Sequence, residues 1–315
     1  MALAEDVCAA WEPPTVVEVK DIPSSESSGV VMVNDEFLTI GDAGGEALLY
    51  TFDIEGNYLG EQRIDGASNT DWEDLAAADC PTGTCIFIAD IGDNDESRDA
   101  ITLWKVAVTD DARLSADNCP LVYDDGESHD AEALLVYPDG SVRVVTKNDS
   151  GGKVYYAREL SCDGEAATLR EEAEIDVGEP ITGGAVDRTG ALVVLRTATR
   201  ALAWRGCEVD WGADPQEIDL VGEVQGEAVF VGSDGAMYTT SEGDPLELHV
   251  LPCASTEEYD CPTCGCDDGS AVPLLLMLGP WAQRRRKGES GPTSVPRARS
   301  LPDARSLRRA AGWPR

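Results

Sequence analysis

Histidine is nearly absent from this chain. His129 and His249 are the two in 315 residues, and they share no ligand spacing. That argues against a zinc centre, which draws on imidazole and thiolate. Positive charge is almost as scarce. Residues 1–280 carry 14 Lys/Arg against 58 Asp/Glu, a net of −44, whereas 10 of the 24 cations follow Trp281. A body so acidic repels nucleic acid and anionic lipid, whose affinity for proteins rests on cations. Nucleophile and phosphate-loop signatures are missing too. There is no G-x-S-x-G, no P-loop, and no G-x-G-x-x-G after a strand; the glycines of 41–47 and 150–152 read as turns. Helical periodicity is weak throughout, which leaves strands.

What the chain does have is a repeat, and repeats decide architecture first. Glu73 opens an apolar run that turns at "CPTG" into "CIFIAD". Glu132, Thr182 and Glu227 open similar runs, each seven residues before a turn at Asp139-Gly140, Thr189-Gly190 and Asp234-Gly235. Glu26 opens the first copy, which turns at Asn34-Asp35. X-Gly between two apolar runs is a strong hairpin signal. A third run follows in every copy ("ALLYTF", "ITLWKV", "KVYYAR", "ALAWRG", "LELHVL"). A fourth follows in all but the last ("NYLGEQRI", "CPLVYD", "TLREEAEIDV", "QEIDLVGEV"). The N-terminal "PTVVEVKDI" belongs to no copy and is free to complete the last one. The openings lie 45 to 59 residues apart, one propeller blade each. The expected fold is all-β: a β-propeller over residues 14–252 with five four-stranded blades, favoured over six, the last closed by the N-terminal strand.

First strands of propeller blades line the central channel, so equivalent residues form rings. Ring one is expected to be Glu26, Glu73, Glu132, Thr182 and Glu227, and ring two Asp42, Asp90, Lys147, Arg196 and Glu242. Carboxylates converging on an axis must protonate, pair with cations or bind a metal. Lys147 and Arg196 neutralise part of that charge, and Ca²⁺, which takes six to eight oxygen ligands, suits the rest. The expected ligands are Glu26, Glu73, Asp90, Asp93, Glu132 and Glu227, with Asp42, Asn94, Thr182 and Glu242 also at the mouth. Asp71, Asp74, Asp93 and Asn94 are what the "DWED" unit adds to the repeat, so the metal is sought there. Were the site catalytic, Glu73, Asp90, Lys147 and Arg196 would hold a phosphate ester or lactone beside the metal and activate a water. A solvated ring that only spaces the blades is the third reading. Trp72 is read as packing between blades.

Ten cysteines, unpaired in spacing through the body, suit disulfides in an oxidising compartment. Cys80 and Cys85 flank a hairpin turn and are expected to bridge it. Residues 1–13 read as a linker after an export signal, Ala2-Leu3-Ala4 having the form of its cleavage end. Export to the cell surface or medium is expected, as is a monomer binding a small-molecule or surface ligand.

The motifs "NTDWEDLA", "IADIGDN", "DAEALLV", "TGGAV" and "QGEAV" occur in order and resemble a family of bacterial secreted β-propellers marked by a DWED box, described as phytase-like or esterase-like. The resemblance covers about residues 20–252 and implies a calcium-associated acidic mouth. True β-propeller phytases carry a signature close to D-A-x-D-D-P-A-x-W, which this chain lacks. Residues 253–287 resemble a myxobacterial C-terminal sorting signal. A Cys-rich linker (253–270, with Cys261, Cys264 and Cys266) precedes a short apolar segment ending at Arg284, Arg285 and Arg286 (271–287). That tail implies cleavage and surface attachment, with membrane contact confined to it. A zinc knuckle of Cys253 and the three tail cysteines, or a disulfide cluster, are the rival readings. Residues 288–315 form a basic Pro/Ser-rich extension expected to be disordered.

Overall fold

The structure, a computed structural model, describes residues 5–259 apart from 82 and 224. Every regular element in it is a strand. Strand β1 (Glu5–Trp11) and β2 (Thr15–Val19) precede four sequential units of four strands. The first unit is β3 (Gly29–Val33), β4 (Glu36–Ile40), β5 (Leu48–Phe52) and β6 (Tyr58–Asp65). The second is β7 (Trp72–Cys80), β8 (Gly83–Asp90), β9 (Ile101–Ala107) and β10 (Arg113–Tyr123). The third is β11 (Ala131–Val136), β12 (Val142–Thr146), β13 (Gly151–Ala157) and β14 (Ala167–Asp176). The fourth is β15 (Gly183–Val186), β16 (Leu192–Arg196), β17 (Arg200–Arg205) and β18 (Gln216–Asp219). Then come β19 (Gly226–Val231), β20 (Met237–Ser241), β21 (Leu246–Leu251) and β22 (Cys253–Tyr259). Within each unit the strands pair antiparallel in chain order, and β21 takes β2 as its outer neighbour.

Local chemistry sets the hairpins. Asn34 and Asp35 both have positive φ, the conformation a tight two-residue turn demands. In the later units Gly140, Gly190 and Gly235 supply the positive φ. The residue before each glycine then fixes the turn with its side chain. Asp139, Thr189 and Asp234 each accept a hydrogen bond from the backbone N–H two positions on, at Ser141, Ala191 and Ala236.

The inner strands lie against one another in sequence: β3 on β7, β7 on β11, β11 on β15, β15 on β19, and β19 on β3. A separate apolar cluster fills each space between neighbouring units. Trp72, wholly buried, packs with Val31, Leu49 and Ile88 between the first and second, as the sequence led us to expect. Leu121 and Tyr155 meet between the second and third, and Leu135 and Trp204 between the third and fourth. Leu192 and Met237 meet between the fourth and the β19–β21 sheet, and Phe37, Phe52 and Tyr238 fill the space between that sheet and the first. Strand β10 is long enough for its two ends to pair parallel with β6 and β14. The architecture is a β-propeller.

Two short segments extend the folded body beyond residues 14–252. Strands β1 and β22 form an antiparallel ribbon, with Val7 and Cys8 buried against the cluster around Leu192. Residues 5–11 are therefore a packed strand and not a linker, because Val7 and Cys8 find a buried surface. Cys8 and Cys253 form a disulfide across this ribbon, 245 residues apart in sequence. That pairing overturns the zinc knuckle, whose first ligand is already spent. Cys80–Cys85 bridges the β7–β8 hairpin as expected, and Cys119–Cys162 ties β10 to the loop after β13. Three disulfides among the described residues mark a chain that folds under oxidising conditions. The same residues contain no helix long and apolar enough to cross a membrane. Cys261, Cys264, Cys266 and Arg284–Arg286 lie outside the described residues.

Loop closure ranks the bridges. On a chain-entropy basis, removing Cys8–Cys253 costs about 5 kcal/mol and removing Cys80–Cys85 about 2 kcal/mol. Urea unfolding of the paired Cys→Ser variants without reductant is expected to show that order; equal losses would contradict it.

A candidate metal centre at the acidic mouth

Register, and not sequence spacing, defines which residues are equivalent. In β7 the partners step from Trp72↔Asp90 to Asp74↔Ala89, in β11 from Ala131↔Thr146 to Ala133↔Val145, and in β19 from Gly226↔Ser241 to Ala228↔Thr240. The skipped residues are Glu73, Glu132 and Glu227, so each of these glutamates is the extra residue of a β-bulge. A bulge leaves its residue outside the ladder and re-aims the side chain. Strands β3 and β15 have no bulge, and their Gly29 and Gly183 stand in line with Asp74, Ala133 and Ala228, one residue after the position of the glutamates. A Cβ there would meet the Leu75 nitrogen at 2.5 Å or the Glu227 carbonyl oxygen at 2.3 Å, so the neighbouring backbone excludes a side chain.

This corrects ring one. Glutamates occupy it in three units, Thr182 in the fourth and Ser28 in the first. Glu26 is exposed, two residues before Ser28 and outside the ring, whereas Thr182 stands level with Glu132, its hydroxyl donating to the Gly226 carbonyl at 2.8 Å. Ring two shifts by the same logic. Asp90 is equivalent to Gly41, Thr146, Thr197 and Ser241, while Asp42, Lys147 and Glu242 lie one residue further out and Arg196 one residue further in. A one-residue step moves a strand side chain to the other face.

The separation is visible in the partners. Asp90 is buried and accepts from Arg98 at 2.9 Å, from the Trp104 indole at 3.2 Å and from the Asp71 amide at 3.2 Å. Asp93 accepts from the amides of Ser97 and Arg98 and fixes the loop after β8. Neither turns its carboxylate to the mouth group, and Asn94 is exposed. Arg196 is fully buried. It pairs with Glu223 at 2.6 Å and donates to the carbonyls of Ala228, Thr240 and Thr197, tying β16 to β19 and β20. Glu223 also accepts from Thr239 at 2.5 Å. Arg196 is thus a strut whose charge is already matched. The four residues that a catalytic centre would need are not assembled: Glu73 and Lys147 face the mouth, Asp90 and Arg196 do not.

Asp74 points the other way from Glu73 and is fully enclosed. Its carboxylate accepts from the amides of Leu75, Leu134 and Gly184, so one side chain clips β7, β11 and β15 together. Burial holds it well above the ordinary aspartate range despite these donors.

What the structure does bring together is Asp42, Asp71 and Glu73, one carboxylate oxygen of each lying within 4.8 Å of the others. Two are half-buried and Glu73 is buried. Gly92 makes this possible: a Cβ there would stand 2.1 Å from Glu73 Oε1 and 2.5 Å from Asp71 Oδ2. None of the three forms an ion pair with a described cation. The nearest lysine, Lys147, is taken by Glu132 through a short contact between Nζ and Oε1. Burial, and then the charges of Glu132, Asp42 and Asp71, push Glu73 far above the usual carboxylate range. Burial also raises Asp71, with Asp42 and Asp130 adding to it. Burial outweighs Lys147 at Glu132 and leaves it at about 7. Burial, then Glu227, Asp42 and Glu26, raise Glu242 to about 7. Glu227 is raised by burial as well, against the Gln225 amide and Arg196.

Gly92, Asp130 and Glu223 were not among the expected site residues, and Asp71 was named only within the acidic excess that marks the place. Asp71 and Gly92 sit inside the DWED and "IGDN" motifs and could have been read there. Glu223 precedes its strand and carries no pattern.

No protein-family model matches the chain, and no curated protein does. Solved structures with a similar course include a glucose dehydrogenase (12% identity, 77% of this chain and 100% of that one, TM-score 0.45). A luciferin-regenerating enzyme matches over 78% of this chain and 97% of that one (9% identity, TM-score 0.46). The PQQ-bound aldose sugar dehydrogenase of Streptomyces coelicolor matches over 82% and 99% (11% identity, TM-score 0.46). With TM-scores below 0.5, none bears on what this chain binds or does.

A pH dependence follows from the raised carboxylates. Glu132 and Glu242 rise from an ordinary 4.5 to about 7, so the folded state holds protons that the unfolded chain has released. Stability of the metal-free protein is then expected to fall as pH rises through that window. Thermal melts in EDTA should give a lower Tm at about pH 8 than at about pH 5.5. A Tm that is flat or rises over that range would contradict the assignment.

Proposed function

We propose that this chain is an exported, closed five-bladed propeller, its last blade completed by β2, that binds Ca²⁺ at the acidic mouth and presents that face to a small-molecule or surface ligand. Five apolar clusters and the return of β19 to β3 support the closed ring. The three disulfides support export.

The observation that carries the metal reading is the convergence of Asp42, Asp71 and Glu73. Oxygens bound to one Ca²⁺ at 2.3–2.6 Å can stand no more than about 5 Å apart, and these stand within 4.8 Å. The donors are hard carboxylate oxygens, which suit calcium and not zinc. Bound cation would supply the positive charge that Lys147, Arg98 and Arg196 spend elsewhere. Glu132 and Glu227 flank the ion from the next bulges, and Glu26, Asp90 and Asp93 drop out of the ligand set. The expected result is a Tm that rises with millimolar Ca²⁺ in the native protein, equivalent to about 2.7 kcal/mol at a hundredfold excess over Kd. Asp71→Asn is expected to abolish that rise. No calcium response, or an equal one in Asp71→Asn, would refute the site.

Hydrolysis of a phosphate ester or lactone is the second reading. Lys147 favours it, since its side chain is 34% exposed at the same mouth and could meet a substrate anion. Under this reading turnover of a chromogenic phosphate ester or lactone is EDTA-sensitive and lost in Glu73→Gln. Turnover that survives both EDTA and Glu73→Gln would remove it.

A further inference from the structure

The cations of this acidic chain are mostly matched. Arg63, Arg98, Arg113, Arg143, Lys147, Lys153, Arg196 and Arg200 each have a carboxylate within ion-pair distance. Arg205 donates to the Cys8 carbonyl and lies over the Trp11 ring. Lys20 and Lys105 stand outside these ion pairs, Lys105 over the Phe87 ring, and so do Arg158 and Arg170. Both of these arginines are exposed and neither forms an ion pair with a described carboxylate, in a chain with 60 acids to 24 cations. They also lie together. A surface cavity of about 580 Å³ is lined by Tyr156, Arg158, Glu159, Ser161, Thr168 and Arg170, one acid against two guanidinium groups.

The walls of this cavity are built. Tyr156 and Arg170 are direct cross-strand partners on β13 and β14. Arg143, opposite Tyr156 on β12, stacks its guanidinium 4.9 Å from that ring and 4.3 Å from Tyr137, with its charge met by Glu172. The loop after β13 is held twice: Leu160 packs on the core, and Cys162 is bonded to Cys119 of β10. The two free guanidinium groups are therefore presented on a braced frame, beside an aromatic ring, the Thr168 hydroxyl and a Ser161 hydroxyl that already donates to Asp163.

We propose that this cavity binds a small acidic sugar through its carboxylate. Guanidinium forks match a carboxylate with paired, charge-assisted hydrogen bonds. The Tyr156 ring and the Ser161 and Thr168 hydroxyls suit a hydroxylated ring carrying that carboxylate, and the volume is that of an ordinary small-ligand pocket. Size and charge decide against a polyanion. A long anionic chain would run over a body of net −44, whereas a single carboxylate is screened from it beyond about 8 Å at physiological salt.

The test is calorimetric titration of the native protein with glucuronate, glucose and inorganic sulfate. Saturable binding is expected for glucuronate and not for glucose. Arg158→Gln/Arg170→Gln, both exposed, should fold with an unchanged Tm and bind glucuronate roughly tenfold or more weakly. The result should be the same in EDTA and in Ca²⁺, which separates this cavity from the mouth. Absence of saturable glucuronate binding, or undiminished binding by the double variant, would overturn the proposal. Sulfate binding as tight as glucuronate would overturn its assignment to a sugar.

Discussion

Three glutamates re-aimed by β-bulges into one narrow end of the channel lose water and meet one another's charge, and the placement of nearly every nearby cation answers that cost. An isolated carboxylate taken from water must pair, protonate or bind an ion. Lys147 answers Glu132, Arg98 answers Asp90, and Arg196 answers Glu223. Asp42, Asp71 and Glu73 are left over, and they are the three whose oxygens converge. Without an ion the group survives by holding protons, which is why burial drives Glu73 and Asp71 upward.

Backbone geometry makes this arrangement possible. Glycines at 29 and 183 let the inner strands approach too closely for a side chain, and Ser28 and Thr182 before them carry hydroxyls where the second, third and fifth sheets carry glutamates. Gly92 gives up its side chain so that Asp71 and Glu73 can lie against the main chain. Asp74, one residue from Glu73 and facing inward, fastens three inner strands by their amides. The DWED box thus divides its labour: Trp72 fills an interface, Glu73 and Asp71 face the mouth, and Asp74 holds the strands behind it.

The strand order was readable because each unit announces itself twice, by its apolar runs and by an X-Gly turn whose side chain caps the turn. The ring was less readable. A bulge leaves no mark on the apolar pattern, so counting back from the turn aligns Glu132, Thr182 and Glu227 without showing that only the glutamates stand on bulges, and the first copy, with its different turn, is misplaced at Glu26. Arg196 looked like a free cation because burial and a partner from the loop before β19, Glu223, leave no trace in local sequence. The terminal ribbon was missed for a related reason: the pairing of β1 with β22 spans almost the whole chain. The excess of acids in the second unit, by contrast, did point to the place where oxygens converge.

The central claim is that one cation sits among Asp42, Asp71 and Glu73. A crystal structure determined with Ca²⁺ present, or with Tb³⁺ in its place, tests it most directly. The account predicts an anomalous peak bonded to oxygens of all three residues at about 2.3–2.6 Å. Ordered carboxylates at those positions with no peak between them, or a peak held by a different set of residues, would contradict it.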